Sequence, residues 1–220
     1  RASPGRPRTA DAGVALTPGR DVRRLYPSAV HLFLGAILAG CATTGGGLLP
    51  ELDSWAQRKD VLSATEEYEF SGRIGVRAGS EGFNGKIWWR QDGIVYRARV
   101  SGPIGVGTVF VNGDGREVTL TDRDGVTTEL DDAERDLRNR YGWTIPVTSL
   151  RYWALGVPDP SSPADVDIDE RGLMSSLEQG GWQVTIGEYP EGGGQPMPRR
   201  LTAVSDDIRV RLIVDEWGFR

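Results

Sequence analysis

Cys41 and His31 are the only thiol and the only imidazole in the 220 residues. A single cysteine rules out an internal disulfide and a thiolate metal cluster. A single histidine rules out a multi-histidine metal site. Both lie in the first fifth of the chain, so the remainder has neither an imidazole base nor a cysteine nucleophile. What remains for chemistry is carboxylates. Asp165, Asp167 and Asp169 alternate, so on a strand they would point the same way, and two acids across a cleft can hydrolyse a glycoside. Three neighbouring acids after the proline-rich stretch Asp159–Asp165 more often make a solvated edge or a weak cation site. No Gly-x-x-x-x-Gly-Lys phosphate loop is present, and Gly105-Val106-Gly107 is too short to stand in for one.

The position of Cys41 explains its type. Residues 1–28 are rich in arginine, proline and glycine, with no apolar periodicity. Ala29–Gly40 follows as twelve mostly apolar residues, too few for the roughly 20 that span a bilayer. A basic flank, a short apolar stretch and small residues before a break describe a secretory signal. Leu38-Ala39-Gly40-Cys41 resembles the lipobox of bacterial lipoproteins. That resemblance implies that Cys41 is lipidated and becomes the first residue of the mature protein. Ala42, in place of aspartate, implies export to the outer membrane. The expected organisation is a removed segment 1–40, a lipidated small-residue tether 41–49 and a single domain 50–220. Residues 41–220 carry 20 positive and 29 negative charges, a net −9. That balance makes nucleic acid a poor partner, because its binding needs clustered Lys and Arg.

The elements that follow are mostly strands. Leu52, Trp55, Lys59, Leu62 and Thr65 have helical spacing, which predicts one amphipathic helix over 50–67. From Tyr68 the period is two. Phe70, Ile74 and Val76 alternate with Ser71, Arg73 and Arg77. Ile87 and Trp89, then Tyr96, Ala98 and Val100, then Val118 and Leu120 continue the pattern. Asp92-Gly93, Asn112-Gly113-Asp114-Gly115 and Asp124-Gly125 are the turn dipeptides of tight hairpins. The pattern is that of an antiparallel meander with one apolar and one polar face. Helices are expected at Asp131–Tyr141, acidic first and basic last, and at Val147–Leu155, closed by Gly156. Strands at Trp182–Ile186, Leu201–Ser205 and Ile208–Val214 complete the chain.

The economical fold is mainly β with helices (α+β): one large antiparallel sheet. A sheet of nine or more strands must curl, and helices over 50–67 and 131–155 are then the cover for its concave face. Such a sheet, only partly filled, makes a cavity for a lipid-sized ligand; a fully packed core is the other outcome. Ile74, Ile87, Trp89, Tyr96, Val100, Trp182, Val184, Val210 and Leu212 have the parity to share the apolar face as core or as cavity lining.

The order of several segments is similar to the LolB family of outer-membrane lipoproteins. They are Phe70-Ser71-Gly72-Arg73-Ile74, Ile87-Trp88-Trp89-Arg90-Gln91 and Gly102-Pro103-Ile104-Gly105. Tyr141–Val147, Leu150–Pro158, Gly181–Val184, Met197-Pro198 and Arg209–Trp217 continue the match. The resemblance covers about Trp55 to Trp217. It implies an unclosed, curled antiparallel β-barrel with a helical lid over an apolar cavity for acyl chains. It also implies a non-enzymatic role without cofactor or metal: taking lipoproteins from a periplasmic LolA-like carrier and inserting them into the outer membrane. The implied partners are that carrier, the acyl chains of the cargo and outer-membrane lipids; the expected state is a monomer. The family's protruding loop maps onto Gly102, Pro103, Ile104 and Gly105. There Ile104 replaces the family's usual leucine as the exposed apolar residue that meets the membrane. The residues alone agree on form, since Gly-Pro and Gly frame a rigid turn; without the resemblance, an isoleucine folded back into the core is the other reading. Two other readings are a scaffolding lipoprotein binding a partner by its sheet edge and the carboxylate hydrolase already named.

Overall fold

The structure is a computed structural model that describes residues 47–102, 107–131, 135–136, 139 and 144–220. The expected signal segment, Cys41 and Pro103–Val106 lie outside the described residues, as do Tyr141–Trp143.

The first strands run as a meander, as the alternation predicts: β1 (Glu67–Ala78), β2 (Glu81–Asp92), β3 (Val95–Ser101), β4 (Thr108–Gly113), β5 (Val118–Thr121) and β6 (Thr127–Leu130). The second half supplies β7 (Ala164–Ile168), β8 (Met174–Gln179) and β9 (Trp182–Gly187). A small hairpin of β10 (Glu191–Gly192) and β11 (Gln195–Pro196) follows, then β12 (Arg200–Ser205) and β13 (Ile208–Phe219). The expected simple meander needs one correction. β1 pairs with β13 as well as β2, which puts the first strand in the middle of an eleven-stranded sheet ordered β6-β5-β4-β3-β2-β1-β13-β12-β9-β8-β7. All its ladders are antiparallel. The sheet curls, and its outer strands β6 and β7 do not pair with each other, so the barrel is unclosed.

One face carries the core. Tyr68, Phe70, Ile74 and Val76 of β1 are buried, and Ile87 and Trp89 of β2 continue the row beside them. In β13 the buried positions switch from Val210, Leu212 and Val214 to Phe219. The switch lies at a bulge where Ser71 pairs with Glu216 but Gly72 pairs with Val214, leaving Asp215 extra. Gly72 is required there, because a Cβ on it would lie 2.0 Å from the Ile213 carbonyl oxygen.

Two departures concern local chemistry. Asn112-Gly113 is strand, not turn, and only Asp114-Gly115 turns the chain, with Gly115 at φ 85°. Gly113 is glycine because the Tyr96 ring lies over it, 2.3 Å from where a Cβ would sit. The first helix, α1 (Trp55–Ser63), is shorter than the expected 50–67. Ser54 caps it by accepting the Gln57 N–H, and β1 claims Glu67. The second helix, α2, spans Val147–Leu155 as expected, ending at Gly156 in the left-handed region, φ 80°. Arg135, Asp136 and Asn139 are helical, and the rest of the helix expected at Asp131–Tyr141 is not described beyond the bend at Asp131. Gly47 and Leu49, at the end of the expected tether, hydrogen-bond to Phe219 and Gly193.

Candidate functional site

The inner face of the sheet brings the sequence-selected apolar residues together. Ile74, Ile87, Trp89, Tyr96, Trp182, Val184, Val210 and Leu212 are all buried in one cluster, and Val100 packs against it half-buried. Aromatic rings make up one end. Trp89 stacks on Tyr96 with ring centres 4.8 Å apart and on Phe70 at 6.1 Å. Trp89 also donates its indole N–H to Gln91, whose amide donates onward to the Gly93 carbonyl. The polar tip of Trp89 is therefore satisfied inside the fold.

α2 covers the face. Leu150, Trp153, Ala154 and Leu155 are buried, and Trp153 meets Trp182 of β9 at 6.2 Å. Tyr68 donates its hydroxyl to the Arg151 carbonyl at 2.8 Å, tying β1 to the same helix. Burial drives the Tyr68 phenol well above its ordinary pKa, with the Arg151 charge opposing, so it remains a neutral donor. Between the start of α2 and the turns at Ile94 and Gly115 lies a cleft of about 420 Å³, partly walled by Tyr96, Val118 and Val147. Arg116, Glu117, Asp131 and Arg151 supply its charged lining.

Sequence reasoning missed one interior group. On α1, Leu62 is buried as expected, but its partner one turn earlier is Arg58, 1% exposed, while Lys59 faces solvent. Arg58 donates from Nη2 to the Pro196 carbonyl, and its Nε and Nη1 have no partner among the described residues. Its guanidinium lies 5.8 Å over the Tyr189 ring. Desolvation lowers its pKa, with Tyr189 opposing. Tracing the face one position off, Arg58 with Leu62 rather than Lys59, is the signal that would have found it.

The expected loop falls between β3 and β4 in the chain. Gly102 donates to the Gly107 carbonyl at 3.0 Å, and the Ser101 and Thr108 hydroxyls lie 3.2 Å apart. These contacts join the two ends of the segment whose Pro103, Ile104 and Gly105 lie outside the described residues.

The three aspartates do not form a catalytic set. Asp165 and Asp167 are exposed on edge strand β7, and Asp167 accepts from Ser176. A register shift after Asp167 takes Asp169 off the strand. There Asp169 accepts from the backbone N–H groups of Leu173 and Arg171 and from the Arg171 guanidinium. Desolvation raises its pKa, but these donors and the Arg171 charge together outweigh it and hold the carboxyl below its usual range, the opposite of a general acid. Among the described residues, no three His, Cys, Asp or Glu side chains are grouped to hold a metal ion.

Residues 66–217 match the family model described as "LolB: Outer membrane lipoprotein LolB". The chain belongs to the LolB family. The match begins one residue before β1 and ends in β13, so it covers all the sheet but the last two residues of β13, and α2. A LolB-family relative from Pseudomonas fluorescens, named "Outer-membrane lipoprotein LolB", is 32% identical over 186 residues, covering 83% of this chain and 91% of its own. The Pseudomonas aeruginosa protein of the same name is 31% identical over 196 residues, covering 86% and 96%. A solved LolA superfamily protein from Nitrosomonas europaea shares the fold, with TM-score 0.52 at 7% identity over 76% of this chain and 94% of that one.

Proposed function

We propose that this LolB-family chain is an outer-membrane acceptor that takes lipoproteins from a LolA-like periplasmic carrier and inserts them into that membrane. In this reading it is held to the periplasmic face through a lipid on Cys41 and works as a monomer without catalysis. The observation that supports it best is the unclosed sheet whose apolar inner face is covered, among the described residues, by the short helices α1 and α2. Acyl chains enter beside α2, through the cleft bounded by Tyr96 and Val147. They displace the helix from the row that includes Ile87, Trp89, Trp182, Val184 and Leu212.

The energetics need no nucleotide. Each CH₂ withdrawn from water stabilises by about 0.8 kcal/mol, so an acylated cargo does not cross water unaided. A site that binds chains more tightly than the carrier does, and less tightly than the bilayer, sets the direction. The sheet-edge scaffold reading is weakened by β7 and β6, which carry Asp165, Asp167 and Glu129 exposed on the two free edges. Such charges deter strand addition.

The deciding experiment mixes the purified protein with cargo-loaded carrier and follows the cargo. Movement of cargo to this protein, and then to added vesicles without ATP, is the expected result. Cargo that remains on the carrier would overturn the reading.

A further inference from the structure

The outer face of the same sheet is as strongly patterned as the inner one, but by charge. In a domain that is net acidic, Arg73 and Arg77 of β1, Lys86 of β2, Arg97 and Arg99 of β3, and Arg209 and Arg211 of β13 are all exposed. Strand register sets like charges directly opposite one another: Arg73 against Lys86, Arg77 against Arg209, and Arg90 against Arg97. Direct cross-strand pairing of like charges is destabilising. Asp215 relieves Arg73 at 3.0 Å. Among the described residues no carboxylate pairs with Lys86, Arg97, Arg99, Arg209 or Arg211.

A depression of about 690 Å³ opens in this face. Its charged groups are Arg73, Lys86 and Arg211, and Ile213 supplies apolar wall. Gly75 keeps a further side chain out of it; a Cβ there would lie 2.5 Å from the Asn84 Oδ1. Ser101 and Gly102, the foot of the hairpin that carries the Ile104 loop, form its far edge. A second depression shares Gly75, Asn84 and Arg211 with it and extends the row to Arg77 and Arg209, with Glu81 the one acid on its rim.

We propose that this depression binds the phosphate of anionic lipid headgroups, so that the Arg73–Lys86–Arg211 cluster seats the protein on the membrane at the base of the loop. It rests on the reading that the loop meets the membrane. Ser101 and Gly102 set the depression at the foot of that loop, so a basic surface there faces headgroups when the loop meets the membrane. Guanidinium and ammonium groups over a partly apolar floor match a phosphate attached to a glycerol. The phosphate supplies the negative charge that Lys86 and Arg211 lack among the described residues.

The test uses the chain with Cys41→Ala, which removes the anchor, and vesicles of phosphatidylcholine with or without phosphatidylglycerol. Co-sedimentation should favour the phosphatidylglycerol vesicles and weaken with added salt. Lys86→Gln and Arg211→Gln should each reduce that binding about fivefold, and Lys86→Arg should restore it. Both glutamine variants should still take cargo from loaded carrier in solution, which separates this site from the acceptor function. Equal binding to both vesicles, or glutamine variants that bind like the parent, would overturn the proposal. Loss of cargo uptake with vesicle binding intact would also overturn it, and would assign the cations to an acidic face of the carrier.

Discussion

Trp153 of α2 donates its indole N–H to the Gln179 side-chain oxygen of β8 at 2.9 Å, and both residues are buried. The same oxygen accepts the Asp159 N–H at 3.0 Å, while the Gln179 amide donates to the Asp159 and Ser162 carbonyls. One side chain thus fixes the covering helix, the loop after it and an outer strand of the sheet.

Gln179→Leu therefore leaves several buried polar groups without partners, each costing ~1–3 kcal/mol. Urea denaturation should show a loss of at least about 2 kcal/mol. A loss below about 0.5 kcal/mol, the scale of a neutral surface change, would mean that α2 is held by apolar packing alone.

The alternation made the inner face legible in the sequence because burial on one side of a sheet imposes period two. Ile74, Trp89, Val184 and Leu212 therefore fell on the correct side from parity alone. Three things were hidden for physical reasons. The β1–β13 pairing is non-local, and no residue pattern near Tyr68 announces Phe219 as its partner. The bulge at Asp215 shifts the phase of β13, so Phe219 falls out of step with Val214. Asn112-Gly113 has turn chemistry, but its glycine answers to the Tyr96 ring from a neighbouring strand. The outer-face cations were visible as polar alternation; that they stand opposed across strands depends on register.

Arg58 has a different standing from Gln179. Its buried guanidinium has one carbonyl partner on the exposed residue Pro196, and two of its nitrogens have none among the described residues. A buried cation with unmatched donors is unfavourable. Arg58→Met keeps the length and apolar contacts, and the freed Pro196 carbonyl can turn to water. Thermal denaturation should show unchanged or increased stability. A loss above about 2 kcal/mol, more than a typical net hydrogen bond contributes, would show that the guanidinium is better satisfied than its described neighbours indicate.

Cys41 is the test of the anchor. The lipobox-like Leu38-Ala39-Gly40-Cys41 predicts cleavage before the cysteine and acylation of its thiol and amine. Mass spectrometry of the membrane-extracted protein should find an acylated N-terminal cysteine and no peptide from residues 1–40. Residues 1–40 on the mature protein would refute both steps. Cys41→Ala should lower the membrane-bound share of the protein and make what remains salt-sensitive, while leaving the unfolding curve unchanged, since Cys41 precedes the sheet.

Ile104 separates uptake from delivery. The loop leaves the sheet at Gly102 and returns at Gly107, whose φ of 92° favours glycine, and its base is closed by their backbone hydrogen bond. Ile104→Glu replaces apolar area with a charge that resists entry into hydrocarbon, where an acidic residue costs ~2.5–3.5 kcal/mol at the membrane centre. The variant should accept cargo from the carrier at the parent rate and fail to pass it to vesicles. Ile104→Leu, which keeps the apolar area, should deliver normally. Delivery by Ile104→Glu at the parent rate would remove the loop from the mechanism and leave the release step to α2. Loss of uptake as well would place Ile104 at the carrier interface instead of the membrane.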